Sequence, residues 1–200
     1  MKIRILAWLT AVFAAAYILL GAESWLMQRS IAGKTLRLHV VANSDSEADQ
    51  AKKLRVRDCI LESVSALTAD CETLQEAQSV LEKNLSDLQN SAQTLLRNEG
   101  SKYSVSVSVG TEVFGTRDYE TFSLPAGEYP ALRVKIGAAQ GKNWWCVVFP
   151  SLCKAATSDA ARQCAEVGGY DDAESALIAG GEQKYTLRFK TLEWLLEIFG

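Results

Sequence analysis

The stretch from Leu36 to Asp58 reads LRLHVVANSDSEADQAKKLRVRD and constrains the fold more than any other part of the chain. It opens with alternating residues, in which Leu36, Leu38 and Val40 share one face, and this is typical of a short strand. The chain then turns polar, and helical spacing begins within about 4 residues, a length common in strand-to-helix connections. The sequence therefore predicts a strand, an exposed polar turn and a helix in immediate succession.

The polar turn carries the signals of a helix start. Ser44 followed three residues later by Glu47 matches a capping box, in which the serine hydroxyl accepts the Glu47 N–H and the glutamate reaches back. Asp45 and Asp49 add negative charge where the helix dipole is positive. Together with apolar residues at spacings of three and four, these signals predict a first helix from Asp45 to about Leu67.

A second helix is predicted from Thr73 to about Asn98, because apolar residues recur along one stripe and Gly100 follows as a C-terminal cap. Thr73 with Glu76 forms another capping-box pattern. At 1.5 Å per residue this helix would be roughly 39 Å long.

Beyond Gly100 the spacing changes from helical to alternating. Valine and serine alternate between Tyr103 and Phe114, which indicates a half-buried strand with one face in contact with water.

The rest of the chain is predicted to contain a loop, an irregular segment and further short elements. Two prolines predict that 125–130 is a loop, since proline cannot donate a hydrogen bond to a strand ladder. Residues 157–181 are poor in large apolar side chains and are interpreted as a weakly ordered excursion with about one helical turn. Further strands are predicted over Tyr119–Leu124, Leu132–Ile136, Trp144–Phe149 and Lys184–Phe189, and a closing helix over Lys190–Phe199.

Helices that precede a run of strands, rather than alternating with them, favour an α+β fold. The expected order is a strand, two helices, and then a largely antiparallel sheet of about four to six strands with a C-terminal helix. A length of 200 residues suits one domain with a short extra segment.

The N-terminus determines the compartment. Lys2 and Arg4 precede an uncharged apolar run, Ile5–Leu20, and small residues follow it, a pattern typical of an export signal. The run is long for a cleaved signal and short of the roughly 20 residues of a comfortable membrane span. The pattern favours a cleaved signal, and a retained anchor is the alternative. We therefore expect residues 1–22 to be a signal peptide or N-terminal membrane anchor, 23–34 a mobile mature lead, and 35–200 a single extracytoplasmic domain.

Charge and cysteine content narrow the function further. The net charge of −3, with no basic stripe, argues against a nucleic-acid partner. Cys146 and Cys153 flank a Phe-Pro turn and are the candidate disulfide of an exported protein, closing a loop that would stabilise the fold by about 2–3 kcal/mol. Cys59 with Cys71 is a second candidate bridge, and Cys164 is then left over. The alternative for all five is a thiol, mostly buried.

Few residues suggest catalysis. His39 is the single histidine, and a histidine base needs a nucleophile and an orienting group; the alternative is a strand histidine bonded to a neighbour. Cys146 with His39 would be a nucleophile pair, but an apolar strand makes a thiol inert and a disulfide removes it. Asp45, Glu47 and Asp49 are spaced like a calcium loop but lack its glycine and closing glutamate. We therefore predict no catalytic, metal or cofactor site.

The segment Asn143-Trp144-Trp145 suggests binding instead. Adjacent tryptophans on a strand face opposite ways, so one can fill the core while the other faces solvent or a partner. Exposed Trp is enriched in binding hot spots, and the alternative is burial of both rings. Asn43 and Ser44 end the first strand where backbone N–H groups can hold an anion or a partner's carboxylate, although capping alone explains Ser44.

Two segments carry a family resemblance. LRLHVVANSDSEADQAKKLRVRD, together with GKNWWCVVFPSLC at Gly141–Cys153, resembles the stage II sporulation protein R family, secreted signalling proteins of endospore-forming bacteria. The likeness extends over nearly the whole chain. It implies export from the forespore into the space between forespore and mother cell. There the protein would activate a membrane-embedded aspartic-type protease, which leads to pro-sigma-E processing in the mother cell.

The residues and the resemblance together favour a secreted signalling protein rather than an enzyme. The alternatives are a secreted cysteine hydrolase using Cys146 and His39, and a cell-wall-binding module. We hypothesise one contact surface formed by the His39–Asp49 turn and the Asn143–Cys153 hairpin, in which replacing Asn43 or the outward Trp by alanine abolishes processing without lowering the thermal midpoint. The candidate partner-binding residues are His39, Asn43, Ser44, Asp45, Asp49, Asn143, Trp144 and Trp145.

Overall fold

The computed structural model describes residues 8, 10–12, 15, 22, 25–152 and 157–179. Residues 25–32 are helical and lead into the first strand. The further elements are β1 (Leu36–Val41), α1 (Glu47–Leu67), α2 (Leu74–Lys83), α3 (Leu85–Asn98), β2 (Val105–Phe114), β3 (Arg117–Asp118), β4 (Ser123–Leu124), β5 (Gly127–Ile136), β6 (Asn143–Phe149), α4 (Ser158–Val167) and α5 (Asp172–Ala179). The strand predicted over 184–189 and the helix predicted over 190–199 lie outside the described residues. Within the described part, no helix has the length and apolarity needed to cross a membrane.

Four strands form one sheet in the order β2–β5–β1–β6. β1 runs parallel to β5 and antiparallel to β6, while β2 runs antiparallel to β5. β3 and β4 pair with each other as a separate hairpin. The α+β prediction is therefore confirmed, with a sheet that is largely antiparallel.

Helices α1, α2 and α3 cover one face of this sheet. Leu36, Leu38 and Val40 of β1 are each 0% exposed and pack in the same core as Ile60 of α1 and Leu96 of α3. Burying an aliphatic side chain of this size stabilises by roughly 1.5–3 kcal/mol relative to leaving it exposed. The helical layer therefore fixes β1 inside the sheet.

A second core covers the opposite face, and the sequence did not predict it. Ile31 of the helical residues 25–32, Ala161 and Ala165 of α4, and Ile178 of α5 are all buried there. The expectation of a mobile lead is wrong for 25–32, because Ile31 anchors that helix in this core. The second core makes the molecule three layers thick, with the sheet in the middle.

The predicted excursion over 157–181 is also wrong, because α4 and α5 are regular helices. Thr157 caps α4 by accepting a hydrogen bond from the Ala160 N–H at 3.1 Å. Ala161 and Ala165, four residues apart, are 0% exposed and form its inward face. Alanine is the best helix former but buries little apolar area, so this face gave only a weak hydrophobic signal.

The first long helix begins two residues later than predicted. Ser46 is its N-cap and accepts a hydrogen bond from the Asp49 N–H. The capping box of Ser44 with Glu47 is therefore wrong. The Ser44 hydroxyl donates to the Asp49 carboxylate instead, at 2.6 Å.

The long helix predicted from Thr73 is two helices, α2 and α3. Thr73 caps α2 as predicted, accepting from the Glu76 N–H. The chain leaves helical geometry at Asn84, whose side chain donates to the Val80 carbonyl at 2.7 Å. Asparagine competes in this way with the helix backbone. Gly100 follows α3 at φ +74°, as its predicted role as a cap requires.

Strand β5 runs through the segment predicted to be a loop. It begins at Gly127 and pairs Pro130 with Thr111 of β2. The ladder between β5 and β1 starts only at Ala131. The position of the missing N–H of Pro130 therefore faces a side where no described strand pairs with it, as at a sheet edge.

The strand predicted over 119–124 is also different in the structure. This segment forms the turn and the second strand of the β3–β4 hairpin.

Ile178→Ala tests whether the second core contributes to stability. Ile178 is 1% exposed, so truncation is expected to lower the free energy of unfolding by about 2–5 kcal/mol, measured by denaturant titration. The matched control is Val167→Ala, since Val167 is 79% exposed and should change stability by less than about 0.5 kcal/mol. Equally small effects for both variants would contradict this packing.

Candidate functional site

The polar turn after β1 is fastened to the loop 137–142 that leads into β6. Asn43 Nδ2 donates to Asp49 Oδ2 at 2.8 Å, and Asn43 Oδ1 accepts the Ala138 N–H at 2.9 Å. Gly137 passes so close, at φ +57°, that a Cβ there would lie 2.3 Å from Asn43 Oδ1. Asn43 therefore joins the start of α1 to the loop before β6.

Two further contacts complete this junction. The Lys142 N–H donates to Asp45 Oδ1 at 2.6 Å, and the Gly141 N–H donates to the Ala42 carbonyl at 2.9 Å. The structure thus brings together the two stretches that the sequence singled out. A direct contact of this turn with a partner stays a prediction, because the observed contacts of its side chains lie within the chain.

Asp49 is the electrostatic centre of the turn and is only 4% exposed. Besides Asn43, Ser44 Oγ donates to Asp49 Oδ2 at 2.6 Å, and Lys52 Nζ lies 3.2 Å from Asp49 Oδ1. The hydrogen bonds from Ser44 and Asn43, with a smaller contribution from Lys52, lower the pKa of Asp49 to about 2 despite its burial. The carboxylate is therefore charged and fully engaged at neutral pH.

His39 lies on the sheet face opposite α1–α3. Its Nδ1 is 2.7 Å from Glu112 Oε2, and its Nε2 is 2.9 Å from Asn143 Oδ1. The ring stacks on Trp145, with centroids 5.7 Å apart. Glu112 also accepts a hydrogen bond from Arg133. Both ring nitrogens are therefore used in bonds across the sheet, as in the strand-histidine alternative.

The two tryptophans of β6 face opposite ways, as predicted, and each has an arginine beside it. Trp144 is 36% exposed and lies under Arg57 of α1, with the guanidinium carbon 4.3 Å from the ring centroid. Trp145 is half-buried, and the Arg117 guanidinium lies 3.9 Å from its ring. We call Arg57, Arg117, Trp144 and Trp145 the Trp–Arg edge.

The structure contradicts the nucleophile pair of Cys146 and His39. Cys146 pairs with Leu38 and is buried in the core under α1–α3, whereas His39 pairs with Trp145 and faces the other layer. The sheet therefore separates the thiol position from the imidazole. Among the described residues, no group of three or more His, Cys, Asp and Glu is placed to hold a metal ion.

Three further cysteines among the described residues are thiols. Cys59, Cys71 and Cys164 are free, so the Cys59–Cys71 bridge does not form. Burial raises the pKa of the Cys59 and Cys71 thiols, which disfavours the reactive thiolate. Cys153 lies outside the described residues, so its bridge to Cys146 stays a prediction.

Sequence reasoning missed four residues that build this region: Glu112, Arg133, Arg57 and Arg117. Glu112 belongs to the same polar series of β2 as Ser106 and Ser108, so the alternation gave no signal that it is the partner of His39. Arg57 and Arg117 stand near tryptophans only through tertiary contact. No spacing in the sequence indicates those pairs.

Acid titration tests the Asp49 network. Because the pKa of Asp49 is lowered on folding, its contribution to stability is present above about pH 4 and is lost as pH falls toward about 2. Asp49→Asn should be less stable than wild type near neutral pH and should lose less stability between about pH 5 and pH 2. Glu47→Gln, at an exposed carboxylate of the same turn, is the control and should titrate like wild type. Parallel unfolding curves for wild type and Asp49→Asn over this range would contradict the assignment.

Asn43→Ala is now expected to destabilise the fold, contrary to the sequence-based hypothesis. The variant loses the bonds to Asp49 and Ala138, at a cost of about 1–3 kcal/mol. Thermal unfolding should show a lower midpoint than wild type. Asn90→Ala, at an exposed position of α3, should leave the midpoint unchanged or slightly raised. An unchanged midpoint for Asn43→Ala would contradict this expectation and support the sequence-based hypothesis that Asn43 contributes to partner binding but not to stability.

Comparison with known proteins identifies the family. The model of the family described as Stage II sporulation protein R matches residues 32–159, which include the polar turn and β6. Stage II sporulation protein R of Bacillus subtilis (strain 168) is 36% identical over 123 residues, which cover 62% of this chain and 55% of that relative. The chain thus spans about half the length of the curated relative that it matches, and no solved structure matches it. The resemblance seen in the sequence is confirmed: this chain belongs to the Stage II sporulation protein R family of sporulation proteins.

Proposed function

We propose that this chain is a secreted signalling protein that activates a membrane-embedded aspartic-type protease and so promotes pro-sigma-E processing in the mother cell. Family membership supports the role in sporulation. The observation that carries the choice of binding over catalysis is the Trp–Arg edge, a partly exposed set of aromatic and basic side chains on both faces of β6, next to a rigid turn.

The composition of the Trp–Arg edge is that of a binding hot spot. Trp and Arg are enriched among the residues that dominate interface energetics. The Arg57 and Arg117 guanidinium groups already lie over the rings of Trp144 and Trp145, so these side chains are held in place before a partner arrives. A cation over an aromatic face is worth about 0.5–1 kcal/mol when exposed and more when an interface removes water.

The turn beside the Trp–Arg edge supplies rigidity. Asn43, Ser44 and Asp49 bond to one another and to the loop before β6, so the backbone from β1 to α1 is fixed. A surface that is already ordered loses less conformational entropy on binding, so more of the contact energy contributes to affinity. We infer that the turn positions the edge and that the edge makes the main contact with the protease.

Activation requires the edge to discriminate between two states of the protease. A ligand shifts a conformational equilibrium only by its difference in affinity for the two states. The activator would therefore bind the active, dimeric arrangement of the protease more tightly than the inactive one. It needs no reacting group of its own for this role.

The proposed location is the space between forespore and mother cell. The apolar run at residues 5–20 supports export, and its Trp8 and Val12 are 74% and 60% exposed. Exposed apolar side chains of this size suit a segment that contacts a membrane or an export channel instead of packing in the protein core. In that oxidising setting we propose the Cys146–Cys153 bridge as a clamp on the end of β6.

Trp144→Ala tests the proposal in a non-sporulating host that co-expresses the protease and its sigma-factor substrate. Wild type should make cleavage of the substrate depend on this chain, and Trp144→Ala should reduce cleavage by about tenfold or more, as expected for a hot-spot residue worth at least about 1.4 kcal/mol. Circular dichroism should show that the variant is folded, so that lost cleavage reports a lost contact rather than unfolding.

The matched control is Val113→Ala, which truncates an apolar side chain that is 78% exposed on another part of the sheet. It should leave cleavage unchanged. Cleavage that proceeds without this chain would overturn the proposed function. Cleavage that depends on the chain but not on Trp144 would reject only the assigned edge, and co-sedimentation with peptidoglycan would favour the cell-wall-binding alternative.

A further inference from the structure

Arg37 is a buried cation with unused hydrogen-bond donors. Its side chain is 0% exposed, in the middle of β1, on the face that carries the second core. Nη2 donates to the Tyr119 hydroxyl at 3.0 Å. Among the described residues, Nε and Nη1 have no hydrogen-bond partner.

Aromatic rings surround the guanidinium. Its central carbon lies 4.0 Å from the ring centroid of Phe114 and 5.0 Å from that of Tyr129. The Tyr129 hydroxyl donates to the Pro125 carbonyl at 2.7 Å, and its oxygen is not a hydrogen-bond partner of Arg37 Nε or Nη1. The rings stabilise the positive charge through their faces but cannot accept the N–H groups in its plane.

Two carboxylates of the surrounding elements are bound to other cations or to His39. Glu112 binds His39 and Arg133, and Glu174 binds Lys34. None of the ion pairs formed within the described ranges involves Arg37. A buried guanidinium without a counter-charge is costly, and an apolar residue of similar size would make a more stable core. The position therefore suggests a role for Arg37 beyond holding the fold together.

We propose that Arg37 is the receptor for a carboxylate that enters by displacing Tyr119. A guanidinium binds a carboxylate best through two parallel N–H groups, and both such arrangements use Nη2 together with either Nε or Nη1. Tyr119 occupies one N–H of Nη2, so it blocks the arrangement that uses that N–H. When its hydroxyl leaves, the complete fork becomes available and the unpaired charge gains its counter-ion.

The placement of Tyr119 allows this exchange. The residue follows β3, is half-buried, and stacks on Phe122 at 4.4 Å within the hairpin. β3 and β4 are two residues each and pair with each other rather than with the four-stranded sheet. A short hairpin of this kind is only marginally stable by itself, so a turn of Tyr119 leaves the ladders of the main sheet intact.

The test compares acetate with chloride at equal ionic strength and neutral pH, using the full chain. We expect acetate to raise the thermal midpoint of wild type and to shift the ¹⁵N–¹H resonance of Arg37 Nε. Arg37→Met removes the receptor, so its midpoint should not respond to acetate and should exceed that of wild type in chloride. A wild type that responds no more than Arg37→Met, with an unmoved Nε resonance, overturns the proposal.

Two further variants keep the test decisive if Arg37→Met does not fold. Tyr119→Phe frees Nη2 without removing the ring, so it should respond at lower acetate concentration than wild type; an equal or weaker response contradicts the displacement step. Arg97→Met removes an exposed arginine of α3, away from this hairpin, and should respond like wild type. An acidic tetrapeptide is tested in the same way. If it raises the thermal midpoint as acetate does, the carboxylate that Arg37 binds belongs to a polypeptide; if only acetate raises the midpoint, the ligand is a small anion.

Discussion

The alternation of strand β1 is the constraint on which the rest of the structure depends. Leu36, Leu38 and Val40 face the helices α1–α3, whereas Arg37 and His39 face the second core. A slip of one residue in the pairing of β1 would exchange the two sets and bury the side chains of Arg37 and His39 under the helices. The aliphatic face therefore fixes the register, and the register in turn places every polar group of the opposite face.

The junction at the end of β1 carries this order into β6. A carboxylate as buried as Asp49 needs donors, and Ser44 and Asn43 supply them from the same turn. Because Asn43 also accepts the Ala138 N–H, the loop before β6 is fixed to the start of α1. A short polar network therefore holds the loop that leads into β6, while the pairing of β6 with β1 orients its tryptophans.

The first layer was predictable from sequence because its signals are local. The period-two spacing of β1 and β2, the Thr73 cap and Gly100 each appear within a few residues and match the structure. The second layer was not predictable in this way. Its helix α4 buries alanines, and the pairing of Pro130 depends on where a different strand, β1, begins.

The candidate site likewise has parts that the sequence predicts and parts that depend on tertiary contacts. Both stretches that form it stand out in the sequence, and so do the opposed faces of Trp144 and Trp145. The partners that give these residues their environment, such as Arg57 and Glu112, come from elements far apart in the chain. Single-sequence patterns cannot show such contacts, because nothing about an exposed arginine on a helix indicates which ring it will cover.

Hydrogen-bond saturation offers a physical criterion for where this molecule meets other molecules. Asn43 and Asp49 use their donors and acceptors within the chain, so a partner could bind them only by breaking existing bonds. Trp144 has an exposed face, and Arg37 has donors without acceptors, so contact with either costs no internal bond beyond that of Tyr119. Unused capacity, rather than polarity alone, therefore distinguishes the residues available for binding from those that build the platform beneath them.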